Sequence, residues 1–225
     1  MTSLFVTGTD TDAGKTVVSV ALIDLLKQQG LRVAGMKPIA SGCELTEVGL
    51  RNDDAMQLAQ HANVHLPYDM INPYAFQPAI APHIAAEQVN VAIDLDVIKH
   101  NFEQIQQQAD VVVVEGAGGW LVPINQQHTI ADIASILNLP VILVVAIRLG
   151  CINHALLSVN AIAQSGLRLV GWVANSVTSN NEQDEIIATL KQRINAPCLG
   201  IVPTLTAQQD AKDYIELGDL SSKNC

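Results

Sequence analysis

Positive charge is scarce in this chain: 12 Lys and Arg stand against 22 Asp and Glu in 225 residues, a formal net charge of −10. So acidic a surface steers poorly onto nucleic acid or anionic lipid, and neither is expected as a partner. Long hydrophobic runs are missing too. The longest, Val141 to Ile147, falls far short of the ~20 residues that a bilayer demands. No basic residue precedes Lys15, so the basic start of a secretory signal is lacking. The cysteines, Cys43, Cys151, Cys198 and Cys225, lie far apart with no CxxC, and no two histidines share one helix at i,i+4 spacing. Zinc sites, disulfide frameworks and catalytic triads therefore lack their usual spacings. Apolar residues make up 49% and charged residues 15%, which supports a core and excludes wholesale disorder. The expectation is a cytoplasmic protein of one domain over 1–225, since no linker composition interrupts the chain.

Short apolar runs alternate with amphipathic stretches throughout. Residues 3–7, 32–36, 111–115, 141–147, 169–174 and 199–202 read as strands without polar/apolar alternation, as suits strands covered on both faces. Helical patterns lie near 15–29, 53–61, 94–108, 129–137, 154–165 and 182–194. Thr129 with Asp132 marks a helix start, and Gly30 and Gly166 mark helix stops. This alternation predicts an α/β fold, a doubly wound and mostly parallel sheet. Segments 38–50 and 63–90 show little periodicity and read as long functional loops.

The strongest motif is Gly8-Thr9-Asp10-Thr11-Asp12-Ala13-Gly14-Lys15-Thr16, after a strand and opening a helix. Such a turn aims backbone N–H groups at a phosphate, and the helix N-terminus adds partial positive charge. Lys15 is placed to reach the terminal phosphates and Thr16 to ligate Mg²⁺, the pattern of a P-loop NTPase. Five residues separate Gly8 from Gly14, where the usual pattern has four. Asp10 and Asp12 are odd in an anion-binding loop; they require a metal, a substrate amine or solvent to face. Glu115 ends an apolar strand before Gly116-Ala117-Gly118, a place where phosphate-loop enzymes often carry an Mg²⁺-binding Asp. Asp53 and Asp54 open a helix, and either equally suits its cap. Lys37 closes the second strand at the same sheet edge, where it serves either as a cation for a transferring phosphoryl group or as a surface lysine. Trp120 suits core burial better than stacking on a ligand.

GTDTDAGKT, KPIASG, RNDDA, NPYAF, APHIAAE, VEGAGGW, LGCINHALL and GWVANSV occur in the order found in dethiobiotin synthetases of biotin biosynthesis. The chain resembles that family from about Phe5 to Pro203, weakly over 178–195 and hardly at all after Leu205. The resemblance implies a homodimeric phosphate-loop enzyme. It would use MgATP to close a cyclic urea from CO₂ and 7,8-diaminononanoate, through a carbamate and a carbamic–phosphoric anhydride.

By that resemblance Lys15 and Lys37 flank the reacting groups, and Thr16, Asp54 and Glu115 hold Mg²⁺. Asp12, Ala13, Gly14, Val17, Gly116, Ala117 and Gly118 border the nucleotide. Asn175 and Ser176, with Pro203, Thr204 and Leu205, border the adenine, and Asp210 lies near it. Thr11, Asp12 and Ser41 face the diamine, while Gly150, Cys151, Ile152 and Asn153 hold its carboxylate across the dimer interface. A partition-type switch ATPase is the rival. Such proteins carry a second lysine early in the phosphate loop, about where Asp10 stands, and the membrane-dependent ones a basic amphipathic tail that Glu216–Cys225 does not supply. An amidotransferase-type synthetase would need a further domain.

Overall fold

A computed structural model describes residues 3–176 and 183–218; Cys225, most of the 216–225 tail and part of the weakly matching 178–195 stretch lie outside them. The central sheet holds six parallel strands. They are β1 (Leu4–Gly8), β2 (Val33–Met36), β7 (Val111–Gly119), β8 (Val141–Ala146), β9 (Leu169–Asn175) and β10 (Cys198–Val202), in the order β10-β9-β8-β1-β7-β2. Six helices match the predicted ones: α1 (Lys15–Gln28), α2 (Asp53–His61), α5 (Leu95–Gln106), α6 (Ile130–Ile136), α7 (Cys151–Gln164) and α8 (Gln183–Arg193).

Strand β7 shows why these strands do not alternate in polarity. Val112 and Val114 pack into the cluster that includes Phe5, Met36 and Trp172, whereas Val111 and Val113 join the opposite cluster with Leu22 and Leu26 of α1. With period-2 geometry and apolar cover on both faces, every position from Val111 to Val114 is apolar. Thr129 and Asp132 form a reciprocal capping box at the start of α6, and Gly30 and Gly166 follow α1 and α7 at φ 79° and 77°. Trp120 is buried and meets Phe5 edge-on, with ring centroids 6.1 Å apart. Cys43 and Cys151 are buried free thiols.

Three expectations are corrected. Helix α7 starts at Cys151 rather than near 154, because Gly150 at φ 89° turns the chain directly into it. Strand β7 runs through the glycine-rich segment to Gly119, where it pairs with Gly8 of β1; its extension comes from that neighbour and not from local propensity. The two segments read as loops carry short elements: β3 (Ile39–Ser41), β4 (Glu44–Thr46), β5 (Gly49–Arg51), α3 (Tyr68–Ile71), β6 (Tyr74–Phe76) and α4 (Pro82–Gln88). β3 pairs with β6 in parallel, and β4 with β5 as a hairpin. Each is too short to show a period, and their order comes from contacts. Asn72, for example, donates from Nδ2 to the Lys37 carbonyl at 2.6 Å.

Candidate active site

Chain order in the sheet reverses around β1, with β7 on one side and β8 on the other. Open α/β sheets bind ligands at such a switch point, outside the carboxyl ends of the strands. Gly8, Lys37, the end of β7, Arg148, Asn175 and Pro203 all stand at or just past those ends.

The phosphate loop is held from both sides. Thr9 N donates to Val144 O at 2.9 Å, and Asn175 Nδ2 donates to Ala13 O at 2.9 Å. Gly14 adopts φ 90°, and a Cβ there would come within 2.0 Å of Asn175 Nδ2, so only glycine fits. Helix α1 starts directly after Gly14 with no side-chain cap and no acidic residue in its first turn. Its first N–H groups thus retain the anion-binding capacity that a capping side chain would satisfy. Helix α2, by contrast, is capped by Asn52, whose Oδ1 accepts from Ala55 N at 3.2 Å. Asn52, and neither Asp53 nor Asp54, is the cap, which leaves Asp54 free to face the site.

Lys37 is the centre of the arrangement. It is 3% exposed, and its ammonium donates to Glu115 Oε1 at 2.6 Å, Asp54 Oδ2 at 2.9 Å and Gly116 O at 3.1 Å. Three protons meet three acceptors. Burial alone would lower the Lys37 pKa, but the charges and hydrogen bonds of Glu115 and Asp54 outweigh it and raise it. Burial pushes Asp54 up, yet the charge and hydrogen bond of Lys37, with the neighbouring Thr16 hydroxyl and the charge of Lys15, bring it below its ordinary value. Thr16 Oγ1 donates its one proton to Glu115 Oε1 at 3.0 Å. Glu115 is fully buried, and its Oε2 has no hydrogen-bond partner among the described residues. A buried carboxylate oxygen left unpaired is costly, and two carboxylates with a hydroxyl form the hard-oxygen set that Mg²⁺ prefers. The residues fit that cation.

Lys15 is nearly buried and donates to the Asp10 carbonyl at 3.0 Å. Burial first, and then the Lys37 charge, lower its pKa to about 8, against the opposing carboxylates of Glu115, Asp54 and Asp12. An open cavity of about 730 Å³ lies in front of these groups, within the size range of small-molecule sites. Thr11, Asp12, Gly14, Val17, Ala117 and Gly118 line it together with Lys15, Thr16, Lys37 and Asp54. Ser41 also lines it, and its buried Oγ has no partner among the described residues.

Other predicted residues stand apart. Ser176 and Thr204 are joined, Thr204 Oγ1 donating to Ser176 O at 3.1 Å; with Asn175, Pro203 and Leu205 they form the β9–β10 end of the same edge, outside the cavity wall. Gly150, Cys151, Ile152 and Asn153 open α7, which has no side-chain cap and no acidic residue in its first turn. Asp210 pairs with Lys212 at 2.6 Å and is not among the residues that line the cavity.

Three features had escaped sequence reasoning: Asn52, the wall formed by Ala79, Ile80, Ala81 and Pro82, and Arg148, whose guanidinium pairs with Asp10. Asn52 was findable, because Asn caps helices as well as Asp does. The others depend on contacts distant in sequence.

The model of the AAA domain family matches residues 2–212. The ATP-dependent dethiobiotin synthetase BioD of Cellvibrio japonicus is 51% identical over 211 residues, covering 93% of this chain and 92% of the relative. The protein of that name from Chromohalobacter salexigens is 46% identical over 233 residues, covering 96% and 98%. Among solved structures, the MinC:MinD cell division protein complex of Aquifex aeolicus superposes with TM-score 0.60 at 16% identity, covering 95% of this chain and 86% of that one. MinD of Pyrococcus horikoshii complexed with Mg-ADP gives TM-score 0.55 at 16% identity, covering 90% and 82%. At that identity the two structures show a shared P-loop NTPase fold and nothing more, whereas relatives that match nearly end to end at about half identity show the family: the chain is a member of the ATP-dependent dethiobiotin synthetases.

Proposed function

We propose that the protein joins CO₂ to 7,8-diaminononanoate at the expense of ATP, giving dethiobiotin, ADP and phosphate. The observation that carries this reading is the buried Lys37, held between Glu115 and Asp54 beside Lys15 and the uncapped start of α1. One amine takes up CO₂ and loses a proton to give a carbamate, and a carbamate oxygen then displaces ADP from the γ-phosphorus. The neighbouring amine attacks the carbonyl carbon of the resulting anhydride, and phosphate leaves as the ring closes.

The physical obstacle is that an anionic carbamate must approach an anionic phosphate. Preorganised cations lower that barrier, and in this acidic chain two of the twelve basic residues stand at the cavity. Lys15 and the α1 N–H groups hold phosphate oxygens, and Lys37 stabilises the carbamate and the charge developing on the transferring group. Mg²⁺, held by Thr16, Asp54 and Glu115, screens the phosphates when bound. Thr11, Asp12 and Ser41 orient the diamine. Asn175, Ser176 and the 203–205 segment border the base.

We place the enzyme in the cytoplasm; among the described residues, no helix is long and apolar enough to cross a membrane. We also read it as a homodimer. Leu149 is 95% exposed and Leu157 60%, an apolar face flanking the Gly150–Asn153 segment; the Cys151 N–H is taken by the Arg148 carbonyl, and the N–H groups of Ile152 and Asn153 suit a carboxylate from the substrate of the second copy. The test is phosphate release from purified protein with MgATP and bicarbonate, with and without the diamine. Release should depend on the diamine, and the product should carry the cyclic urea. Brisk hydrolysis without diamine, stimulated by DNA or lipid, would move the protein to the switch ATPases.

A further inference from the structure

A carboxylate inside an anion-binding loop is a liability that the fold has to manage, and Asp10 occupies that position. Its three oxygens are all engaged. Oδ1 accepts the Thr11 N–H at 2.8 Å, the backbone carbonyl accepts Lys15 Nζ at 3.0 Å, and Oδ2 pairs with the guanidinium of Arg148. Arg148 comes from the turn between β8 and α7, where its own carbonyl accepts the Cys151 N–H at 3.0 Å. The pair thus bridges the phosphate loop and the turn that opens α7. Both partners are about half exposed, 45% for Arg148 and 46% for Asp10, so the pair adds little to folding stability. Its effect is therefore to be sought in the field around the loop.

Building on the phosphate-loop reading above, we propose that Arg148 is a positioning residue: by neutralising Asp10 it lets a loop that carries a carboxylate accept the polyphosphate of a nucleotide. Asp10 keeps a structural task, since its Oδ1 and carbonyl order the loop around Thr11 and Lys15, while Arg148 removes the electrostatic penalty of that task. The oddity of an acidic phosphate loop is thereby explained for Asp10 without a cationic substrate. Asp12 remains exposed at φ 57° and free for another role.

The sign of the effect makes the inference testable on the intact protein by calorimetric titration with ADP at low and high salt. Arg148→Gln leaves the Asp10 charge uncompensated near a multiply charged chain and should weaken ADP binding about tenfold at low salt, with the loss shrinking at high salt. Arg148→Lys should recover most of it. Asp10→Asn retains the Oδ1 acceptor and removes the charge, so it should bind ADP at least as tightly as wild type. The double variant replaces a neutral pair by a neutral pair and should return to within about twofold of wild type. That order of affinities is the claim.

Arg148→Gln binding within twofold of wild type overturns it, as does a double variant that keeps the full loss, because Arg148 would then act on phosphate directly. Should Arg148→Gln fail to fold, Asp10→Asn decides alone, and weaker ADP binding by that variant refutes the inference. Wild-type protein that binds no nucleotide would instead defeat the phosphate-loop reading itself, so the two failures are distinguishable.

Discussion

Replacing Lys37 by Gln tests the mechanism and the fold together, because the proposed function gives this side chain a catalytic job beside the structural one that its ion pairs show. Its ammonium has three partners, Glu115, Asp54 and Gly116 O. Glu115 is fully buried and, without Lys37, keeps the Thr16 hydroxyl as the one hydrogen bond shown to its side chain. Removing one partner of a buried ion pair costs about 3–5 kcal/mol, because the other charge is left uncompensated. At about 2–4 °C per kcal/mol for a chain of this size, melting should fall by roughly 10 °C. Turnover should fall further, by about 10²–10³, the usual cost of losing one preorganised charge-stabilising group. Nucleotide affinity should change much less than turnover if the charge acts mainly in the transition state.

The double variant Lys37→Gln/Glu115→Gln separates the two jobs: it should regain most of the melting temperature and none of the turnover. Circular dichroism melting, ADP titration and single-turnover phosphate release on the three proteins make the comparison. Turnover within about threefold of wild type in Lys37→Gln would refute the catalytic assignment. An unchanged melting temperature would refute the claim that Lys37 compensates a buried Glu115.

Lys15 carries the pH dependence. Burial holds its pKa at about 8 and a phosphate favours the ammonium, so nucleotide affinity should decline as pH rises above about 8 and binding should take up a proton; calorimetry in two buffers reads this, and a pH-independent affinity up to pH 9 would contradict it. Thr16→Val and Asp54→Ala should each reduce Mg²⁺-dependent turnover by at least about tenfold while the fold persists; full activity of Asp54→Ala would leave that residue only its ion pair with Lys37. If the chain dimerises as proposed, Leu157→Glu should give monomers in light scattering and lower turnover with diamine, and a fully active wild-type monomer would sink the shared-site reading. Gly14→Ala meets Asn175 at 2.0 Å and should abolish ADP binding with only a modest change in melting, whereas near-normal ADP affinity would mean that the loop relaxes around a methyl group.

The parts of this fold readable from sequence are those whose cause is local or repeated. The inner strands announce themselves because burial on both faces favours short, mostly apolar runs without alternation, as in Val111–Val114 and Val141–Ala146. Phosphate-loop geometry could be read because glycine, lysine and threonine at fixed spacing between strand and helix have one common use. Elements β3 to β6 were not readable: each is three residues long, and three residues cannot display a period. The cap of α2 was misread by a residue or two, since Asn52 and the two aspartates after it share the same chemistry and only φ/ψ separates them. Arg148 is the sharpest case. It meets Asp10 across 138 positions of sequence, and nothing in either neighbourhood foretells the pairing.

What an opening residue lacks can be as informative as what it carries. Helices α2, α5 and α6 begin with Asn52, Asp94 and Thr129, side chains that satisfy their own first-turn donors. Helices α1 and α7 begin after Gly14 and Gly150, both in the left-handed region, with no side-chain cap and no acid in the first turn. A helix that sacrifices its cap gives up about 1 kcal/mol of stability, and the free N–H groups then remain for a ligand. Both such helices start at the carboxyl edge of the sheet, one after β1 and one after β8, on the two sides of the switch point. Under the proposed function α1 would hold the nucleotide phosphate and α7 the carboxylate of the second copy's substrate, so that in a chain with little positive charge backbone dipoles serve both anions. That would leave the charges of Lys15 and Lys37 for the reacting groups in front of α1, where the proposed reaction changes the charge.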